Sequence, residues 1–393
     1  MISVEEAKNL IRGNIKSLGS IRLKLDDAVD YVLAEDVYSP INYPSFLQSS
    51  MDGYAFAYDD INEGLEIIGV IQAGATTNMG IEKGQAVRIF TGAPLPKGAD
   101  TVLIQEKANI EGNKLIVLDD QLQKGANARL IGADIKLNDL ALEKGSLLTP
   151  GAIGFLASIG ITEVAVYKKP LIHIILTGNE LTPIGNDLSF GKIYESNSHT
   201  LKAALEIAGF KQIEVSIIED SLEETTEALK TSLEKFDLTL FTGGISVGDY
   251  DFVLESCNAN KVEQIFHKIK QKPGKPLYIG KKGDKVVCGL PGNPASVLSC
   301  YYNYITIILD QLSNTRTAMQ TANAILLNPY KKPAGLTHFL KGLYNASNNE
   351  VQILEGQESF KMKSFAMANC FVELPEALTS VESKQVVKIH LFS

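Results

Sequence analysis

The chain has 393 residues, 45% hydrophobic and 21% charged, so it can bury a sizeable core and is too long for one ordinary domain. Acidic residues outnumber basic ones by 46 to 37, which argues against nucleic acid as the main partner and requires any anionic ligand to find a locally basic pocket. Cys257, Cys288, Cys300 and Cys370 lack metal-like spacing and read as reduced, buried thiols, while the polar start MISVEEAKN and the absence of a bilayer-length apolar run predict a soluble cytoplasmic protein with no membrane partner.

In chain order, Val4 to Leu18 and Asp26 to Ala34 are predicted helices, the first with Ala7, Leu10, Ile11 and Ile15 at helical spacing. INYPSFLQSSMDGYAFAY then breaks regular structure at Pro44, Ser49, Ser50 and Gly53. Asp52 therefore lies on or beside a turn, either ligating metal, contacting substrate or capping the turn itself. From Leu65 to about Leu118 the short apolar runs LEIIGVIQAG, QAVRIFTG, DTVLIQEKANI and NKLIVL indicate a compact β domain, with EGN as a hairpin turn. Thr91 and Gly92 follow one of these strands and form a ligand contact or a simple turn. KGANARLIGADI places Arg129 and Asp134 in a second glycine-broken loop, a site element or a surface loop with an ion pair. A helix between Pro150 and Gly160 resumes the helical style, so the β segment reads as an insertion into a discontinuous helical domain.

After Pro170 strands and helices alternate. LIHIIL leads to TGNEL and a helix from about Ser198 to Gly209; QIEVSII leads to Asp220, and Ser221 with Glu224 has capping-box spacing for a helix to about Phe236. The next strand, in DLTLFTGGISVGDYDF, runs directly into Gly243 and Gly244. These βα units predict a doubly wound, mainly parallel sheet whose sites gather where the strands end. Glycine backbone N–H groups can approach an oxyanion closely, Thr242 and Ser246 add hydroxyls, and Asp249 and Asp251 suit a cation such as Mg²⁺. A glycine turn with capping hydroxyls and acids is the plainer alternative.

In IFHKIKQKPGKP, alternation puts Lys268, Lys270 and Lys272 on one face of a predicted strand, with Lys275 after the PG turn, as an anion site or as edge protection. After a predicted hairpin in LYIGKKGDKVVCGL, Pro291 and Pro294 fix the PGNPAS loop ahead of a long apolar helix from Ala295 to Leu312, whose N-terminus favours an anion. The five histidines show no metal-ligand spacing, and His173 reads as core. Five strand-like runs after Thr321 predict a small all-β domain.

SSMDGYA, RIFTGAPLPKGAD, TGNEL, SNSHTL, TGGISVGDYD, KPGKP and LPGNPAS occur in this order, and the chain resembles the molybdopterin molybdenumtransferase family, which includes the C-terminal domain of gephyrin. The resemblance implies a homodimer of four-domain chains: a discontinuous helical domain over 1–46 and 135–168, an inserted β domain over 47–134, a doubly wound α/β molybdopterin-binding domain over 169–320 and a C-terminal β-barrel over 321–393. It implies insertion of molybdate into adenylylated molybdopterin with release of AMP, assisted by Mg²⁺. Motif by motif, it implies catalytic roles for Asp52, Thr91, Asp134 and Glu180 and metal positions at Asp220 and Asp251. Substrate contacts fall on Thr242, Gly243, Gly244, Ser246, Lys268, Lys272, Lys275, Pro291, Gly292, Asn293 and Pro294, in a cleft shared between domains across the dimer. A molybdopterin adenylyltransferase, and apo-molybdoenzymes or their chaperones, are the implied partners. One departure is that Leu130 and Ala133 stand where charge is expected. The related readings are an adenylyltransferase, a tungstate-selective relative and a non-catalytic scaffold.

Overall fold

The structure is a computed structural model that describes residues 1–75, 79–245 and 252–392. The chain divides into two compact units, one formed by Met1–Ile21, Asp30–Val32 and Val166–Ser393, the other by Arg22–Val29 and Leu33–Ala165.

The first unit is built on a six-stranded sheet in the order Ile213–Ile218, Ile172–Thr177, Leu238–Thr242, Lys285–Leu290, Tyr278–Lys282 and Glu263–His267. Its first four strands pair in parallel, and the last two pairings, through Tyr278–Lys282, are antiparallel. Every residue of Ile172–Thr177 and Leu238–Thr242 is buried, the pattern of central parallel strands that need cover on both faces. Helix Asn197–Ile207 supplies Leu201 and Leu205 to one core, and helix Leu222–Lys235 supplies Leu229 and Leu233 to another. Strand order reverses between Ile172–Thr177 and Leu238–Thr242, and the carboxyl ends of these two neighbours form the crevice where such sheets take ligands.

Local signals explain several element ends. Ser221 accepts from the Glu224 N–H at 3.1 Å, while the Glu224 carboxylate reaches back to the Glu219 N–H at 2.9 Å, a capping box displaced by two residues. Gly283, at φ +60, turns the Tyr278–Lys282 to Lys285–Leu290 hairpin. The long apolar helix begins at Pro294, widens into a π turn at Tyr301–Ile305 and continues as Thr306–Ser313. In its last turns, Asp310 accepts from the Thr317 N–H and hydroxyl, the Ala318 N–H and the Thr315 hydroxyl, all past the helix end.

Helix Val4–Asn14 stops short of the expected Leu18, and its Val4, Ala7 and Ile11 join the same core as Ile172, Ile269 and Leu312. The strands Thr337–Asn345, Glu350–Ile353, Gln320–Leu326, Val386–Leu391 and Cys370–Leu374 close into a five-stranded barrel. Within it, Glu373 accepts from His390 at 2.6 Å and from Lys388 at 3.0 Å.

The second unit holds a sheet in the order Thr101–Ile104, Gly53–Phe56, Gln85–Ile89, Leu65–Ile71, Lys114–Val117 and Ala108–Glu111. Alternation sends Ala55, Val87 and Val102 to one core and Phe56, Ala86 and Leu103 to the other. Helix Pro150–Ser158 forms between Pro150 and Gly160 as the sequence predicts, and the Thr149 hydroxyl caps it. The expected helix from Asp26 to Ala34 is corrected to a single 3₁₀ turn at Leu25–Asp27, because Asp30 takes a left-handed φ of +67 that a helix cannot contain.

Candidate functional site

In the second unit, Asp52 and Thr91 meet. Gly53 must be glycine, since a Cβ there would stand 1.9 Å from the Leu103 carbonyl oxygen, and Gly92 turns the next loop at φ +85. These turns bring Asp52 Oδ1 to 2.7 Å from the Thr91 backbone nitrogen and 2.8 Å from its hydroxyl. The backbone bond first, then the hydroxyl and the Arg88 charge, hold the Asp52 carboxyl below its ordinary range. Arg88, which sequence reasoning passed over, donates to the Gly53 carbonyl at 3.2 Å and stacks 5.0 Å from the Tyr54 ring. Its signal was cross-strand register, Tyr54 opposite Arg88, which only the pairing reveals. The loop carrying Asp134 is tied to the same region through the pairing of Ala128–Arg129 with Gln48–Ser49 and the bond from the Asp134 N–H to the Tyr43 carbonyl. Asp134 is exposed, and among the described residues no ion pair joins it to Arg129.

In the first unit, the candidate residues converge on the switch-point edge. Gly243 and Gly244 take φ +92 and +62, and a Cβ on Gly243 would lie 2.8 Å from the Thr177 carbonyl oxygen. The turn is thereby laid on the end of the neighbouring strand. The Thr177 and Thr242 hydroxyls are both buried there with no hydrogen bond among the described residues. Thr177 was not predicted; it stands in the TGNEL motif, but its burial without a partner is a tertiary fact. The Gly243 N–H, expected as an oxyanion donor, is corrected: it donates to the Leu290 carbonyl at 3.2 Å, and Gly244 keeps the N–H that has no such bond among the described residues.

The Pro291–Pro294 loop lies alongside, with a Cβ on Gly292 placed 3.8 Å from Gly243 Cα. Asn293 donates to the Ser359 hydroxyl at 3.0 Å and the Ala295 N–H to the Ser359 carbonyl at 3.1 Å. The helix start expected to favour an anion thus retains its field, with the Ala295 donor engaged. Glu180 folds its carboxylate over Gly178, and Asn179 Oδ1 accepts from the Asp220 N–H at 3.4 Å while Lys192 donates to the Asn179 carbonyl. Glu180, Asp220 and Lys192 therefore share this edge. Ser246 and Asp251 lie outside the described residues, as does Asp249. Among the described residues no group of three or more metal-type side chains occurs. Mg²⁺ needs only one or two carboxylates beside substrate phosphates, so Asp220 and Glu180 fit it.

The expected lysine stripe is corrected. Lys268 adopts φ +67, which ends the strand Glu263–His267, and Gln271–Lys272 pairs instead with the barrel strand Thr337–Asn345. Lys270 is held by Glu376 at 2.9 Å. Lys272 lines a cleft of about 500 Å³ with Tyr330, His338, Gln357 and Glu358, and Lys275 is exposed. Burial, with the Lys332 and Lys272 charges, pushes His338 down to about 4, so it is neutral at physiological pH.

Residues 2–160, 173–311 and 323–392 match, in order, the family models described as "MoeA N-terminal region (domain I and II)", "Probable molybdopterin binding domain" and "MoeA C-terminal region (domain IV)". A molybdopterin molybdenumtransferase of Haemophilus influenzae is 35% identical over 382 residues, covering 94% of this chain and 93% of its own. The chain belongs to the MoeA family. A second relative of that name, from Staphylococcus epidermidis, is 30% identical across 99% of this chain and 95% of its own. The crystal structure of a molybdopterin biosynthesis MoeA protein from Pyrococcus horikoshii superposes with a TM-score of 0.83 at 27% identity, covering 100% of this chain and 99% of that one. In MoeA family terms, the switch-point edge lies within the segment matching the molybdopterin-binding model, and the Asp52–Thr91 pair within the N-terminal match.

Proposed function

We propose that the protein is a molybdopterin molybdenumtransferase that takes adenylylated molybdopterin, receives molybdate and releases AMP. The observation that carries the reading is the pair of buried hydroxyls, Thr177 and Thr242, which have no partner among the described residues, beside the Gly243–Gly244 turn in the segment that matches a molybdopterin-binding model. Buried hydroxyls without partners are rare, and a polyanionic ligand at this edge would satisfy them. The names of the full-length relatives point to the same activity.

In this reading Gly244 and the threonine hydroxyls bind phosphate oxygens, and the Pro291–Pro294 loop, with Gly292 and Asn293, walls the substrate. Lys268, Lys272 and Lys275 offset the charge that accumulates when molybdate joins a pyrophosphate. Asp220 and Glu180, with Asp251, would hold Mg²⁺ at the substrate phosphates. When bound, that ion polarises the phosphoanhydride that breaks to release AMP. Asp52, kept ionised by Thr91, has its second oxygen available to accept a proton from a bound water, and Asp134 contributes a further exposed carboxylate.

The same reading makes the protein a cytoplasmic homodimer, supplied by a molybdopterin adenylyltransferase and serving apo-molybdoenzymes or their chaperones. No helix among the described residues is long and apolar enough to cross a membrane. The test is AMP release from adenylylated molybdopterin with Mg²⁺, with and without molybdate. Molybdate-dependent release that disappears in Asp52→Ala supports the proposal. No release by a folded protein that binds the substrate overturns it, and ATP-dependent adenylylation of molybdopterin would reassign the chain to that earlier step.

A further inference from the structure

The start of helix Asn197–Ile207 is fixed by an unusual cap. Glu195, 3% exposed, accepts from the Ser198 N–H at 2.8 Å and from the Ser198 hydroxyl at 2.5 Å. Between them, Asn197 is 9% exposed, and its Nδ2 donates to the Gly292 carbonyl at 2.9 Å. That bond settles which way the amide faces, since the flipped arrangement would set two oxygens against each other. Asn197 Oδ1 is therefore a buried acceptor, and among the described residues nothing donates to it. Gly292 in turn borders Gly243, and Gly243 rests on Thr177. One obligate acceptor and two hydroxyls, each without a partner among the described residues, thus lie beside a single glycine turn, with Thr177 6% and Thr242 2% exposed.

The ligand complementary to this set carries anionic oxygens for the hydroxyls and at least one N–H for Asn197. We propose that Asn197 is a specificity-determining residue whose Oδ1 accepts a hydrogen bond from the exocyclic 2-amino group of a pterin. This inference rests on reading the edge as the molybdopterin site and adds which atom recognises the heterocycle. An exocyclic amine is the donor suited to a recessed acceptor, because it projects beyond the ring and reaches inward without burying the ring itself. A buried acceptor built to be paired discriminates strongly against an analogue that lacks the donor.

The test compares two ligands by calorimetry on the full chain with Mg²⁺: a 6-substituted pterin carrying a terminal phosphate, and the matching lumazine phosphate, in which oxygen replaces the 2-amino group. The native protein should prefer the pterin by roughly tenfold or more. Asn197→Leu should erase that preference, because loss of the Gly292 tether falls on both ligands while loss of the acceptor falls on the pterin, and Asn197→Ser serves the same purpose if Asn197→Leu does not fold. Ser359→Ala, which loosens the Pro291–Pro294 loop at its other tether, should weaken both ligands alike. Equal loss of both ligands in the Asn197 variants would show a loop anchor and overturn the inference. Equal native affinity for the two ligands also overturns it while leaving the site reading intact, and failure of the native protein to bind either removes both.

Discussion

Thr91 donates both its backbone N–H and its hydroxyl to one oxygen of Asp52, across 39 residues of sequence. Asp52 is therefore no cap of its own turn; it is a carboxylate held ionised by another loop. Thr91→Val keeps the shape and removes one donor, so the Asp52 carboxyl should rise toward its ordinary range and the acid limb of the rate profile should move to higher pH. Asp52→Asn should lower AMP release by about 10²-fold or more with little change in melting temperature, because the turn is partly exposed. A rate profile from pH 4 to 8 with melting curves on both variants decides this.

Gly243→Ala should cost stability in two ways. At φ +92 any side chain is strained, and here the added methyl also meets the Thr177 carbonyl at 2.8 Å. Gly283→Ala, at φ +60 with open space around it, carries the strain without the collision. Urea denaturation should show a loss of about 1 kcal/mol for Gly283→Ala and a clearly larger one for Gly243→Ala.

Asp220→Asn and Glu180→Gln each remove a carboxylate from the edge that Asn179 organises. If these groups hold Mg²⁺ with the substrate phosphates, titrating the metal into the AMP-release assay should show half-saturation at about tenfold higher Mg²⁺ in each variant. An unchanged Mg²⁺ requirement with reduced rate would instead assign them to proton handling.

Acid should destabilise the barrel through Glu373. Burial alone would raise its carboxyl, but hydrogen bonds from His390 and Lys388 outweigh that and hold it at about 2, against an ordinary 4.5. Its stabilising contribution is complete above pH 4.5 and is lost as pH falls toward 2. His390 is held below its ordinary 6.5, chiefly by burial, so its cost on protonation begins as pH falls below that value. Melting temperature should therefore fall progressively from about pH 6.5 to 2. Glu373→Gln should lose about 3 kcal/mol at pH 7 and show a shallower acid decline, measured by denaturation across that range.

Much of this arrangement was legible in the sequence because its causes are local. Leu238, Leu240 and Phe241 are strand-like in composition and run straight into two glycines, Ser221 and Glu224 have capping spacing, and Gly283 marks its hairpin. The segment from Asp26 to Ala34 misled because Ala28, Val32 and Leu33 are buried at spacings that also suit a helix, while Asp30 takes the left-handed conformation that Asp tolerates. The lysine stripe failed for a similar reason, at Lys268. Asp52 and Thr91 were each visible as loop residues, but their union depends on strand pairing between distant segments. Thr177 and Asn197 stood inside quoted motifs, yet a hydroxyl or amide left without a partner can be recognised only once everything around it is in place.

The π turn at Tyr301–Ile305 places one extra residue inside a helix that is otherwise regular and almost wholly buried. Deleting one residue within the π turn would let it close to ordinary winding and keep the downstream faces in place, whereas deleting one just past it, at Thr306, would rotate everything beyond by about 100°. Ile307, Ile308 and Leu312 would leave their packed positions, and Asp310 would swing away from Thr315, Thr317 and Ala318. The reading frame of this helix is thus fixed by geometry as firmly as by composition: lineages of the protein can exchange side chains along it, but the π turn is where it can lose one residue and keep its packing.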